Sequence, residues 1–281
     1  MPSTLDPVAG SDKLKVLIYA PFKTGKSWGA GTWPEPNFMD FDRHIEMFKG
    51  PDFIKQHGRR KILYQQFFEK NLDSHGVPKS HNAFDDSCRY FDDQMKPGNR
   101  DAFQTWVIDS GTTMSDLAGN KAMILLGTGG KVGGKSSTWK QGQDTGLVIP
   151  KKQDYGAERS MVEQFVQMVL DTDKHVVFIC HSKQVGVEDE DGKFQVTDIV
   201  PLLTGQSAQA IPLKFNEVWY LKIKKSGTVT KRVLQTYPDS KIRCGTFLGI
   251  PDDTEWTWDA VQKAIKAAGG VASTPALAIS K

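Results

Sequence analysis

Lys15-Val-Leu-Ile-Tyr-Ala-Pro-Phe-Lys-Thr-Gly-Lys-Ser27 carries two signals side by side. Residues 15–19 form a short, nearly continuous apolar run, the pattern of a strand buried on both faces. The run stops at a turn-like Pro21, and the segment closes on Gly25, Lys26 and Ser27. A loop of this kind turns backbone N–H groups inward to cradle phosphate oxygens. Gly25 permits the backbone geometry, Lys26 reaches the outer phosphates, and the Ser27 hydroxyl suits Mg²⁺. A helix opening here adds the favourable end of its dipole. The candidate nucleotide-binding residues are therefore Ala20, Pro21, Phe22, Lys23, Thr24, Gly25, Lys26, Ser27 and Trp28.

The spacing is that of GxxxxGK[ST], the Walker A loop, with one departure: Ala20 stands where the first Gly is expected. Such a site needs an acid at the end of another strand to organise magnesium. Thr105-Trp-Val-Ile-Asp109 supplies it, and Asp109 with Ser27 makes the candidate metal pair. An Asp here also suits the N-cap of a following helix. A water-orienting group is needed as well. Asp40 and Asp42 end the strand of Asn37-Phe-Met-Asp40, and in a parallel sheet that end opens on the same edge as the phosphate loop. Either is a candidate general base. His181, after Val-Val-Phe-Ile-Cys180, is a candidate γ-phosphate sensor. The candidate catalytic set is Lys26, Asp109, Asp42, Asp40 and His181.

Outward from these motifs, apolar runs alternate with helical periodicity. Strands are expected at 37–40, 61–67, 105–109 and 174–180, and helices at 83–95, 156–170 and 258–268. Glu188-Asp-Glu-Asp-Gly192 and Ser226-Gly227 read as hairpin tips, the second joining strands at 216–224 and 228–236. The expectation is an α/β fold with a mostly parallel sheet flanked by helices and antiparallel hairpins added at one edge. Residues 13–268 make one domain, with flexible tails at 1–12 and 269–281.

No stretch approaches the roughly 20 apolar residues that span a bilayer, and Met1 to Asp12 lacks an apolar signal core. Cys88, Cys180 and Cys244 are odd in number and lack metal-binding spacing, which suits a reducing cytoplasm. A net charge of +3 is too small to indicate nucleic acid by itself. Local charge says more. The connection 127–152 carries Lys131, Lys135, Lys140, Lys151 and Lys152 against Asp144, with Trp139 among glycines. A mobile basic loop with an aromatic suits a single nucleic-acid strand, by phosphate neutralisation and base stacking.

With these pieces in place, the chain resembles the phage-encoded RecA-like ATPases grouped with AAA-type domains, which include single-strand annealing proteins. The resemblance runs from about Lys13 to Ala268. It rests on Tyr19 to Ser27, Met-Asp-Phe-Asp42, Trp-Val-Ile-Asp-Ser110, Gln153-Asp-Tyr-Gly156 and Val-Val-Phe-Ile-Cys-His181. It implies a RecA-like core and ATP with Mg²⁺. It also implies a homo-oligomer, ring or filament, working on single-stranded DNA in recombination, with a single-strand-binding protein as a further partner and no membrane. By the same resemblance, Lys131, Lys135, Trp139 and Lys140 face DNA, and Lys222 and Lys224 act on a neighbouring subunit's site. The acidic tip at 188–191 departs from that pattern, because it would repel a phosphate backbone. The competing expectation is an ATP-dependent assembly or regulatory module acting on a protein partner, which does not need the basic loop.

Overall fold

The computed structural model describes residues 13–70, 81–127, 152–205, 207–226 and 229–269. The tails, and Lys131, Lys135, Trp139, Lys140 and Lys151 of the basic connection, lie outside the described residues.

Among the described residues nine strands form one sheet: β1 (Lys15–Ala20), β2 (Pro36–Asp40), β3 (Leu63–Gln66), β4 (Thr105–Asp109), β5 (His175–Glu188), β6 (Phe194–Pro201), β7 (Glu217–Ser226), β8 (Val229–Gln235) and β9 (Gly245–Thr246). The order β3-β2-β4-β5-β1-β7 is parallel throughout. β8 and β9 pair antiparallel with β7, and β6 pairs antiparallel with the outer half of β5. This is the expected mostly parallel sheet with antiparallel additions.

Alternation along the strands decides where each side chain goes. Leu17, Tyr19, Trp106, Ile108, Phe178 and Cys180 point to one face, while Val16, Ile18, Ala20, Val107, Val177 and Ile179 point to the other. Both faces are covered, so these strands read as unbroken apolar runs. α3 (Ala83–Gln94), α4 (Gly111–Gly127) and α5 (Lys152–Leu170) cover the first face. The second is covered by α1 (Lys26–Ala30) and, near the end of the chain, α7 (Trp258–Ala267), while α2 (Pro51–His57) packs through Phe53 on Phe48 and Trp28. A one-turn α6 (Ser207–Ala210) lies between β6 and β7.

The helix after the phosphate loop is short. α1 ends at Gly31 after five residues, so its dipole is correspondingly small. The start of α7 anchors it. Trp256 Nε1 donates to the Lys26 carbonyl at 2.8 Å, and Trp258 N–H donates to Thr32 Oγ1 at 2.8 Å. Trp33 packs between Trp256 and Trp258, with ring centroids 5.8 and 4.9 Å away. Gly29 is required here, because a Cβ would lie 2.0 Å from the Trp256 ring.

Several boundaries differ from expectation. The strand expected at 61–67 shortens to Leu63–Gln66, and the 156–170 helix begins four residues earlier, at Lys152. α2 and α4 were not anticipated. In α4, Met114, Ala118 and Ala122 do recur every four residues toward the core, but Gly111, Gly119 and Gly127 weaken the helical signal. β5 runs past the expected Cys180 to Glu188 as a projecting arm. The tip of that arm is closed by Asp189, whose side chain accepts from the N–H groups of Asp191 and Lys193.

Between α4 and α5 lies a buried carboxyl. Glu158 is 1% exposed, accepts from Ser115 Oγ at 2.6 Å, and leaves Oε2 without a partner among the described residues. Burial pushes its pKa up to about 7, against the opposing hydrogen bond from Ser115. The native state therefore holds a proton that the unfolded chain has already lost above its own carboxylate pKa. Stability should fall as pH rises from about 4.5 to 7, with a slope from this group of at most ~1.4 kcal/mol per pH unit. Glu158→Gln should flatten that part of the profile in urea unfolding at pH 5, 6, 7 and 8.

Candidate nucleotide site

The expected loop forms at the C-terminal end of β1. Ala20 is the last residue of the strand, in register with His181 of β5, and its φ is not positive. The first motif position therefore lies within the sheet and does not require glycine, which accounts for Ala20. Gly25 does require it, with φ 91°. Lys26 is buried, and its ammonium folds back over the loop to donate to the Ala20 and Pro21 carbonyls, each at 3.0 Å. Thr24 Oγ1 also donates to Pro21, at 2.9 Å. Burial lowers the Lys26 pKa to about 8, and the nearby Asp109 charge opposes this.

Asp109 ends β4 as predicted and is 5% exposed. The Ser27 hydroxyl favours its charged form, and both expected metal-binding groups line the same cleft. Burial pushes the Asp109 pKa up to about 7, and the like charges of Asp42 and Asp40 add to the rise. A carboxylate so penalised beside a hydroxyl fits a hard divalent cation. Among the described residues no three His, Cys, Asp or Glu side chains are grouped to hold a metal. The remaining ligands would thus be phosphate oxygens and water, as Mg²⁺ prefers.

The two acids at the end of β2 part company. The Asp40 carboxylate is 1% exposed and fully engaged: it accepts from the N–H groups of His44 and Ile45 and from Gln66 Nε2 at 2.9 Å. It holds the 3-10 turn Ile45–Lys49 and does not line the cleft. Asp42 does line it. Asp42 accepts from Ser110 Oγ at 3.1 Å and from Thr113 Oγ1, and lies 3.3 Å from His181 Nε2. Burial would raise its pKa, but the hydrogen bonds from His181, Thr113 and Ser110 outweigh this and hold it below the usual value. His181 N–H is fixed in turn by Thr112 Oγ1 at 3.0 Å.

Lys26, Ser27, Asp42, Asp109 and His181 therefore share one cleft of about 440 Å³, together with Phe22, Lys23, Gly25 and Trp28. Lys222 and Lys224 are not part of it. They sit on β7 in register with Val233 and Lys231, so they face away from the α1 side, and Lys224 pairs with Asp253. The cation that enters from this hairpin is Arg232 of β8, one residue out of phase with both lysines. Arg232 alternates with Leu234, which packs on the α1 face, and that parity was readable in Val-Thr-Lys-Arg-Val-Leu-Gln235. Ser110 and Thr113, just past β4, were also missed as partners of Asp42.

A phosphate loop closing a parallel strand, Ser27 and the buried Asp109 in one cleft and an oriented carboxylate beside them define a P-loop nucleotide-binding domain. The chain belongs to the AAA domain family, whose model matches residues 12–245. Solved structures that it is similar to include the KaiC-like protein PH0186 from Pyrococcus horikoshii OT3, at 14% identity and TM-score 0.38, over 79% of this chain and 76% of that one. Another is the flagellar accessory protein FlaH from Methanocaldococcus jannaschii, at 9% identity and TM-score 0.31, over the same shares. No curated protein matches the chain. No helix among the described residues is long and apolar enough to cross a membrane.

Proposed function

We propose that this chain binds ATP with Mg²⁺ in the Lys26 cleft and hydrolyses it. The observation that carries this reading is the convergence of Lys26, the Ser27–Asp109 pair and the His181-tethered Asp42 on one cleft. Bound Mg²⁺, held by Ser27 and Asp109, would neutralise phosphate charge. Lys26 sets its ammonium against the outer phosphates, exchanging its loop carbonyls for phosphate oxygens. Asp42 orients the attacking water: Ser110, Thr113 and His181 fix its two oxygens, leaving lone pairs for that water. Because its pKa is held down, Asp42 is a weak base, and positioning is its main contribution. That is sufficient for a loose phosphoryl-transfer transition state. His181, linked through Thr112 to the Leu202 carbonyl, can pass loss of the γ-phosphate to the 202–205 loop.

The biological reading that we attach to this site is a phage recombination ATPase, working as a homo-oligomer on single-stranded DNA to promote annealing or strand pairing. It is supported by the lysines, glycines and Trp139 of residues 127–152. The test is DNA binding across a salt series, for wild type and for the Lys131→Gln, Lys135→Gln, Lys140→Gln triple variant. Loss of three phosphate contacts should lower the slope of log K against log salt by about 2. If wild type binds no single strand and its hydrolysis ignores DNA, the activity serves a protein partner instead.

A further inference from the structure

Arg232 reaches the cleft from the strand hairpin and has no hydrogen-bond or ion-pair partner among the described residues, although it is only partly exposed. Its side chain lies directly on the phosphate loop: a Cβ on Gly25 would fall 2.1 Å from Arg232 Nε and 2.4 Å from its Cδ. The guanidinium stands 5.0 Å from the centre of the Trp28 ring. Trp28 is held in place by edge contact with Phe53 and a 3.1 Å hydrogen bond from Nε1 to His57 Nε2. A guanidinium drawn to an aromatic ring still has N–H groups to offer oxygen acceptors. These donors have no protein acceptor among the described residues, so in the cleft they are available to an anionic ligand.

We infer that Arg232 clamps the phosphates that stay with the nucleoside, in cis, with Trp28 as its platform. This rests on the nucleotide reading of the cleft. Position selects these phosphates over the transferred one. Arg232 touches Gly25 and Trp28, whereas the groups for the attacking water, Asp42 and His181, gather against Ser110, Thr113 and Phe22. The site would thus hold a nucleoside diphosphate with a cation of its own chain, where the sequence suggested lysines from a neighbour. Burial lowers the Arg232 pKa, in keeping with a cation that lacks its counter-charge, although Glu255 offsets part of the effect.

The experiment is calorimetric titration of MgADP and of a non-hydrolysable MgATP analogue into wild type, Arg232→Gln and Arg232→Lys, with steady-state hydrolysis alongside. The glutamine variant should lose about tenfold or more in affinity for both nucleotides, by the same factor, as expected for one charge-assisted phosphate contact. Its KM should rise while kcat stays within about threefold. The lysine variant keeps the charge but not the planar fork, and should recover part of the affinity. Unchanged ADP affinity in Arg232→Gln, or loss confined to kcat, overturns the assignment. If wild type itself binds no nucleotide, the underlying reading fails; if wild type binds and Arg232→Gln binds equally well, the clamp alone fails.

Discussion

Lys26→Ala should abolish ATP turnover, lowering kcat by about 10³-fold, the scale of loss when a cation is withdrawn from a phosphoryl-transfer site. The ammonium is the buried positive charge at the mouth of the loop, next to Asp109 and the Ser27 hydroxyl. Without it, charge developing on the transferred group meets only the loop N–H dipoles and magnesium. Nucleotide affinity should fall as well, since the same group contacts the ground state. Two costs to folding oppose one another. The Ala20 and Pro21 carbonyls lose a donor, while a desolvated charge disappears. The ligand-free variant should therefore melt within a few degrees of wild type, and phosphate release with a coupled assay reads the catalytic effect directly.

The second large effect is expected at Asp42. Asp42→Asn should reduce kcat by about 10²-fold or more while leaving MgATP affinity within about threefold. The amide keeps the size of the carboxylate but replaces one acceptor with a donor and removes the charge, so the hydroxyls of Ser110 and Thr113 or the His181 tautomer must rearrange around it. The water loses its orienting oxygen, and the phosphates keep theirs. Asp40→Asn is the matched control on the same strand end. Its partners are the N–H groups of His44 and Ile45 and Gln66 Nε2, so it should cost about 1–3 kcal/mol of stability, with kcat nearly unchanged once folded. Equal kcat losses in both variants would remove the distinction between the two acids.

Much of this architecture could be read from the residues because both faces of the parallel strands are buried. Runs such as Thr105 to Asp109 and His175 to Cys180 admit no polar interruption, and the acid or histidine that ends each run marks the sheet edge. What pattern alone could not decide is where a side chain near such an edge turns. Asp40 and Asp42 are equivalent by spacing. They separate only because the chain after β2 doubles back into the Ile45–Lys49 turn, whose N–H groups capture Asp40. Charge alone also did not mark which cation of the β7–β8 hairpin enters this chain's own cleft: strand parity sends Lys222 and Lys224 to the opposite face, while Arg232 on β8 shares the face of the buried Leu234. The brevity of α1 was also hidden, since it depends on tryptophans more than 220 residues later closing over Lys26 and Thr32.

The measurement that bears most directly on the central claim is an equilibrium titration of MgATP into the wild-type chain by calorimetry, with MgADP as competitor. A nucleotide site built on Lys26, Ser27 and Asp109 predicts saturable binding at one site per chain, competition by ADP, and weaker binding when Mg²⁺ is chelated. Absence of saturable heat at millimolar nucleotide, with the protein folded by thermal unfolding, would contradict it.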